Sequence, residues 1–126
     1  MAESAPTLAV LLQSLTPDEV RFIAQRDDGQ DAERHSQALA SVVARGGRFE
    51  QGEEWYPYEV VELGAHILVP GHAREFAICT LLVIAAVADG FDLSTTLADK
   101  FQDRADDYAK LPPDLQQAIL EAYAAT

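Results

Sequence analysis

Phe76 to Ala88 is a run of thirteen residues in which Thr80 is the only polar side chain. No other segment limits the possible folds as strongly. The run is too short for the ~20 residues that cross a bilayer, so it predicts a helix buried inside a protein. A helix apolar on all sides has to be surrounded by other elements. Extended to its natural stops, it spans about 72–89, with Asp89-Gly90 as the terminator. Cys79, the only cysteine, lies inside it. An intramolecular disulfide is therefore impossible, and the thiol reads as a small core hydrophobe.

The rest of the chain supplies covers for that helix, and nearly all of them have helical period. Thr7–Ser14 is a short apolar helix. Thr16-Pro17-Asp18-Glu19 opens a second one: threonine at the cap, proline at the first helical position and glutamate three residues after the threonine make a capping box. Val20, Ile23 and Ala24 form its inner face, and it runs out near Asp27-Asp28-Gly29. A third helix, Asp31 to Arg45, turns His35, Leu39, Val42 and Val43 inward and stops at Gly46-Gly47. Residues 46–57 lack helical period. A fourth helix starts at Pro57-Tyr58, buries Val60, Val61, Gly64, Ile67 and Leu68, and ends at Pro70-Gly71. After the central helix, Ser94 or Thr95 caps a sixth, with Leu97, Phe101, Arg104, Ala105 and Tyr108 inward and Asp99, Asp103, Asp106 and Asp107 outward. The break Leu111-Pro112-Pro113-Asp114 precedes a last helix burying Leu115, Ala118, Ile119, Ala122 and Tyr123. The expected fold is all-α: one domain of six or seven helices (7–126) around the central helix, after a loose tail at 1–6.

Composition narrows the function classes. A chain of 126 residues, 48% hydrophobic, is too apolar for intrinsic disorder and long enough to bury about two-thirds of its unfolded surface without a metal or disulfide staple. Its 21 acidic side chains against 9 basic ones, a formal charge of −12, argue against nucleic acid as a partner, since phosphate contact draws on clusters of Lys and Arg. Leu8–Leu12 is a short apolar run preceded by Glu3 and no base, unlike a secretory signal with its basic start. The expected location is the cytoplasm, with no membrane contact and no cofactor.

Catalytic signatures are missing. There is no Walker loop, dinucleotide-type glycine run, HExxH, paired-cysteine zinc spacing or Gly-x-Ser-x-Gly elbow. Asp27-Asp28-Gly29-Gln30-Asp31 resembles the start of a calcium loop but lacks the distal glutamate. His72, Glu75 and Cys79, at i, i+3 and i+7 with His66 upstream, are weak metal-ligand candidates. The simpler account puts His72 and Glu75 in an exposed first turn, where Glu75 complements the helix dipole. Glu59, Glu62 and His66 form a row on the fourth helix that could do acid–base work if it lined a pocket. Arg104, on an inner stripe, is expected to reach a carboxylate from a neighbouring helix, because an unpaired buried guanidinium is costly.

One segment has an unusual composition. Between Phe49 and Ala73 there are five glutamates (Glu50, Glu53, Glu54, Glu59, Glu62) and no Lys or Arg, interleaved with the only Trp and two of the four Tyr. Trp55, Tyr56 and Tyr58 offer large contact area at low entropic cost. A negative rim around such anchors would steer a basic partner. The bland alternative folds the aromatic rings onto the core and leaves the glutamates in water.

The pattern Trp55-Tyr56-Pro57-x-Glu59-Val60-Val61-Glu62-Leu63-x-x-His66, followed by Phe76-x-x-Cys79-Thr80-x-Leu82 and the Leu111-Pro112 break before the last helix, resembles a group of small, uncharacterised bacterial all-α proteins. The resemblance covers roughly Gln51 to Tyr123. It implies a shared helical fold and carries no activity.

Three functions compete. The first is a protein-interaction module, of which an immunity or antitoxin-like protein is one version, using Glu53, Glu54, Trp55, Tyr56, Tyr58, Glu59 and Glu62 against a basic protein partner. The second is an enzyme or small-ligand protein using Glu59, Glu62 and His66. The third is a homodimer that buries surplus apolar surface of the central helix.

Overall fold

The apolar run becomes the axis of the molecule. A computed structural model describes residues 6–25, 32–49, 60–62, 64–66, 68–91, 99 and 101–125. Six helices have both ends among them: α1 (Leu8–Gln13), α2 (Pro17–Gln25), α3 (Ala32–Ala44), α4 (Ala73–Ala88), α5 (Ala105–Ala109) and α6 (Pro113–Ala124). Further helical residues occur at 60–62, 64, 99 and 101–103, and no strand occurs among the described residues. The fold is all-α, as the periodicity implies. Ten of the sixteen residues of α4 are buried. Around it, α1 and α6 pack directly on α4, while α2 packs against α3.

Local chemistry accounts for the helix ends. Thr7 caps α1, its Oγ1 accepting from the Val10 N–H at 3.3 Å. The capping box of α2 is reciprocal: the Glu19 N–H donates to Thr16 Oγ1 (3.1 Å) and the Thr16 N–H donates to Glu19 Oε1 (2.9 Å). The N–H of Gly47 reaches Val42 O and that of Gly46 reaches Val43 O, at 2.9 and 3.0 Å. With both glycines at positive φ, this is a Schellman ending. Gly90 and Phe91 end α4 by the same pattern, onto Val87 O and Ala86 O.

Helix α4 tolerates the polar Thr80 in its buried stretch because that group is satisfied. The Thr80 hydroxyl donates to Phe76 O at 3.0 Å and lies 3.3 Å from the Tyr108 hydroxyl. Burial raises the Tyr108 pKa above its ordinary 10.0, against the opposing effect of its hydrogen bond with Thr80. The ring of Tyr108 meets Phe76 and stacks on Phe101, and Phe101 meets Tyr123 edge-on. An aromatic column thus joins α4 to the last third of the chain.

Two helices differ from expectation. The fourth ends at Gly64 rather than at Pro70-Gly71: Ala65 and His66 form a turn, and the Ala65 N–H bonds Val61 O and Glu62 O. Gly64 presses so closely on α4 that a Cβ there would collide with the Cys79 sulfur. The chain then leaves through a Val69–His72 turn closed at 2.9 Å, with Pro70 and positive-φ Gly71 at its centre. The sixth helix is interrupted at Arg104, whose φ of −112° and ψ of 20° are not helical. With this break, the described residues form eight helical pieces. It also leaves Ala105 exposed where an inward position was expected. Asp99, Asp103 and Asp106 are exposed as expected, whereas Asp107 is half-buried.

Candidate functional site

Of the acidic–aromatic residues, Glu53, Glu54, Trp55, Tyr56, Tyr58 and Glu59 lie outside the described residues. The chain on either side of them is fixed. Phe49 is buried, its N–H donates to Asp89 Oδ2 at 2.8 Å, and its ring meets Phe91 edge-on. Val60 and Val61 are completely buried. Glu62 is half-buried and His66 exposed.

Arg104 finds a ring rather than the expected carboxylate. Its Nη2 lies 3.1 Å from His66 Nε2. A guanidinium only donates, so a hydrogen bond here uses His66 Nε2 as its acceptor. That engages the imidazole of the proposed acid–base row with a residue 38 positions away.

The weak metal candidates fall into a different arrangement. His72, Glu75 and Cys79 do line one cavity, but a small one of about 10 Å³, together with Phe22, Gly64 and Phe76. His72 Nδ1 stands 3.6 Å from Glu75 Oε2, and its ring stacks on Phe22 with centroids 3.7 Å apart. No group of three or more His, Cys, Asp or Glu among the described residues could hold a metal. Glu75, expected in an exposed turn, keeps only 12% of its side-chain surface. His66 is not part of this cavity lining.

Periodicity could not reveal what surrounds Glu75. Arg74 Nη1 bonds both carboxylate oxygens of Glu19 (3.3 and 3.2 Å). Its Nη2 bonds Leu11 O at 3.1 Å and the Ser14 hydroxyl. Burial pushes the Glu19 pKa up, but the Thr16 backbone, Glu75, the Arg74 charge and the Thr16 hydroxyl together outweigh it and hold the carboxyl below its ordinary 4.5. The assembly joins the end of α1, the start of α2 and the start of α4. Arg74 engages both its terminal nitrogens with Glu19, Leu11 O and Ser14, so its role is that of a structural clamp.

The largest apolar concavity among those described lies elsewhere. A groove of about 390 Å³ runs between α1, α4 and α6, with Leu8, Leu81, Ile84 and several alanines on its walls. No helix among the described residues is long and apolar enough to cross a membrane. The chain matches no family model, no curated protein and no solved structure.

Proposed function

We propose that this protein is a protein-interaction module whose acidic–aromatic segment, residues 50–62, captures a basic protein partner. The observation that carries this reading is compositional: five glutamates and no Lys or Arg between Phe49 and Ala73, with the only Trp among them. Buried anchors on both flanks, Phe49 and Val60-Val61, support it, because anchored flanks lower the entropic cost of presenting a contact surface. A formal charge of −12 adds long-range attraction for a basic partner. An immunity or antitoxin-like role in the cytoplasm, in which an acidic face covers a basic active site, is one concrete form. Membership of the small bacterial all-α group that the Trp55–His66 pattern resembles is part of the same proposal.

Affinity capture from native lysate tests it, using the wild-type chain beside Trp55→Ala and Glu59→Lys. Loss of a specific partner in both variants is the expected result. Unchanged recovery of every captured protein in both would show that the segment is not the contact surface.

A further inference from the structure

The groove between α1, α4 and α6 has the shape of a seat for a helix. On α4 its walls are Leu81, Ile84, Ala85 and Ala88, and on α6 and its C-cap they are Ala118, Glu121, Ala122 and Ala125. Both sets follow the i, i+3, i+4, i+7 spacing by which one helix presents a stripe to another. The alanines leave the two backbones open to close approach. One occupant of this kind is already present in part: α1 is a six-residue helix lying on α4, and Pro6, Thr7 and Leu8 close one end of the groove.

Charge selects the occupant. Among the described residues of the lining, Glu121 is the only charged one and none is Lys or Arg. A second copy of this chain would also bring a charge of −12, so like charges oppose self-association. We propose that the groove docks an amphipathic helix of a partner protein, with Leu- and Ala-sized side chains on its buried face and Lys or Arg along its rim facing Glu121. The groove shares no residue with the segment 50–62. At about 100° per residue, Leu81 lies about 200° around α4 from Cys79, which contacts Gly64. The groove is therefore on the opposite side of α4 from the turn that follows that segment.

The test is fluorescence anisotropy of the full chain with a labelled four-turn peptide carrying Leu and Ala on one face and Lys flanking them. A scrambled peptide of the same composition and a version with Glu in place of Lys serve as controls. Ala88 and Glu121 are exposed, so Ala88→Arg and Glu121→Lys leave the core intact, which far-UV circular dichroism verifies. Saturable binding is expected for the Lys peptide, about tenfold or more weaker in each variant, and weak binding for both controls. Three results would overturn the assignment: no binding of the Lys peptide, equal binding of the scrambled peptide, or equal binding by wild type and both variants. A homodimer in light scattering that Ala88→Arg dissolves would overturn it too, by giving the groove to a second copy. Because Trp55→Ala and Glu59→Lys lie outside the groove, failure here is separable from failure of the acidic–aromatic surface.

Discussion

Replacing Gly64 by alanine sets two effects of opposite sign against each other. Gly64 is helical and its φ is not positive, so on backbone grounds alanine should stabilise the turn by roughly 0.5–1 kcal/mol. Packing predicts the reverse. The added Cβ would collide with Cys79 Sγ and stand 3.3 Å from Cys79 Cβ and 3.5 Å from Ile23 Cγ2. Rotating the thiol would relieve only the first contact, since the Cys79 Cβ is fixed by the α4 backbone. Cys79 is fully buried and Ile23 is 1% exposed, so the cost belongs in the upper part of the overpacking range, about 2–3 kcal/mol. The net expectation is a loss of roughly 1–2.5 kcal/mol, or roughly 3–10 °C in Tm for a chain of this length. Urea unfolding followed by far-UV circular dichroism measures it. Cys79→Ala alone should cost about 1 kcal/mol by leaving a small void. The double variant should be more stable than the sum of the two losses predicts, by about 1 kcal/mol or more. A Gly64→Ala protein as stable as wild type or more so, or strict additivity with Cys79→Ala, would refute the close approach of the 60–64 turn to α4.

Two more outcomes follow from buried polar groups. Thr80→Val and Tyr108→Phe should each cost about 1 kcal/mol, and the double variant less than their sum, because each single change leaves the other hydroxyl without its mate; additive losses would mean that the 3.3 Å contact contributes nothing. The lowered pKa of Glu19 makes its contribution to stability complete above the ordinary 4.5 and lost as pH falls through the folded value. The stability gap between wild type and Glu19→Gln should accordingly be constant near neutrality and close below about pH 4.5, as read from urea midpoints against pH; a gap that widens on acidification would reverse the sign.

Short-range chemistry was legible in the sequence and long-range chemistry was not. Helix α4 begins and ends within one residue of expectation, because the apolar run Phe76–Ala88 is bounded by His72 on one side and Asp89-Gly90 on the other. The Thr16–Glu19 box and the Gly46-Gly47 stop are equally local. By contrast, the fourth helix stops at Gly64 in contact with Cys79, and the sixth breaks at Arg104 beside His66. Both ends involve partners fifteen or more residues away, which periodicity cannot register. The same holds for Glu19 and Glu75. One was visible as a cap and the other as a dipole partner, yet Arg74 crosses 55 positions to hold Glu19. No local signal could have brought them together.

Arg74 also determines how the first quarter of the chain comes apart. A helix of six residues such as α1 has no appreciable stability in isolation. Its Leu11 carbonyl and the Ser14 hydroxyl that follows are held by the same guanidinium that grips Glu19, the residue closing the start of α2. Fraying at either helix therefore has to release the other, so residues from Thr7 to the first turn of α2 should exchange their amide hydrogens as one cooperative unit. The opening free energy of that unit is set by a side chain more than fifty residues away. A proteolytic nick or exchange front entering at the amino terminus would meet its first barrier at this guanidinium, well before the apolar core.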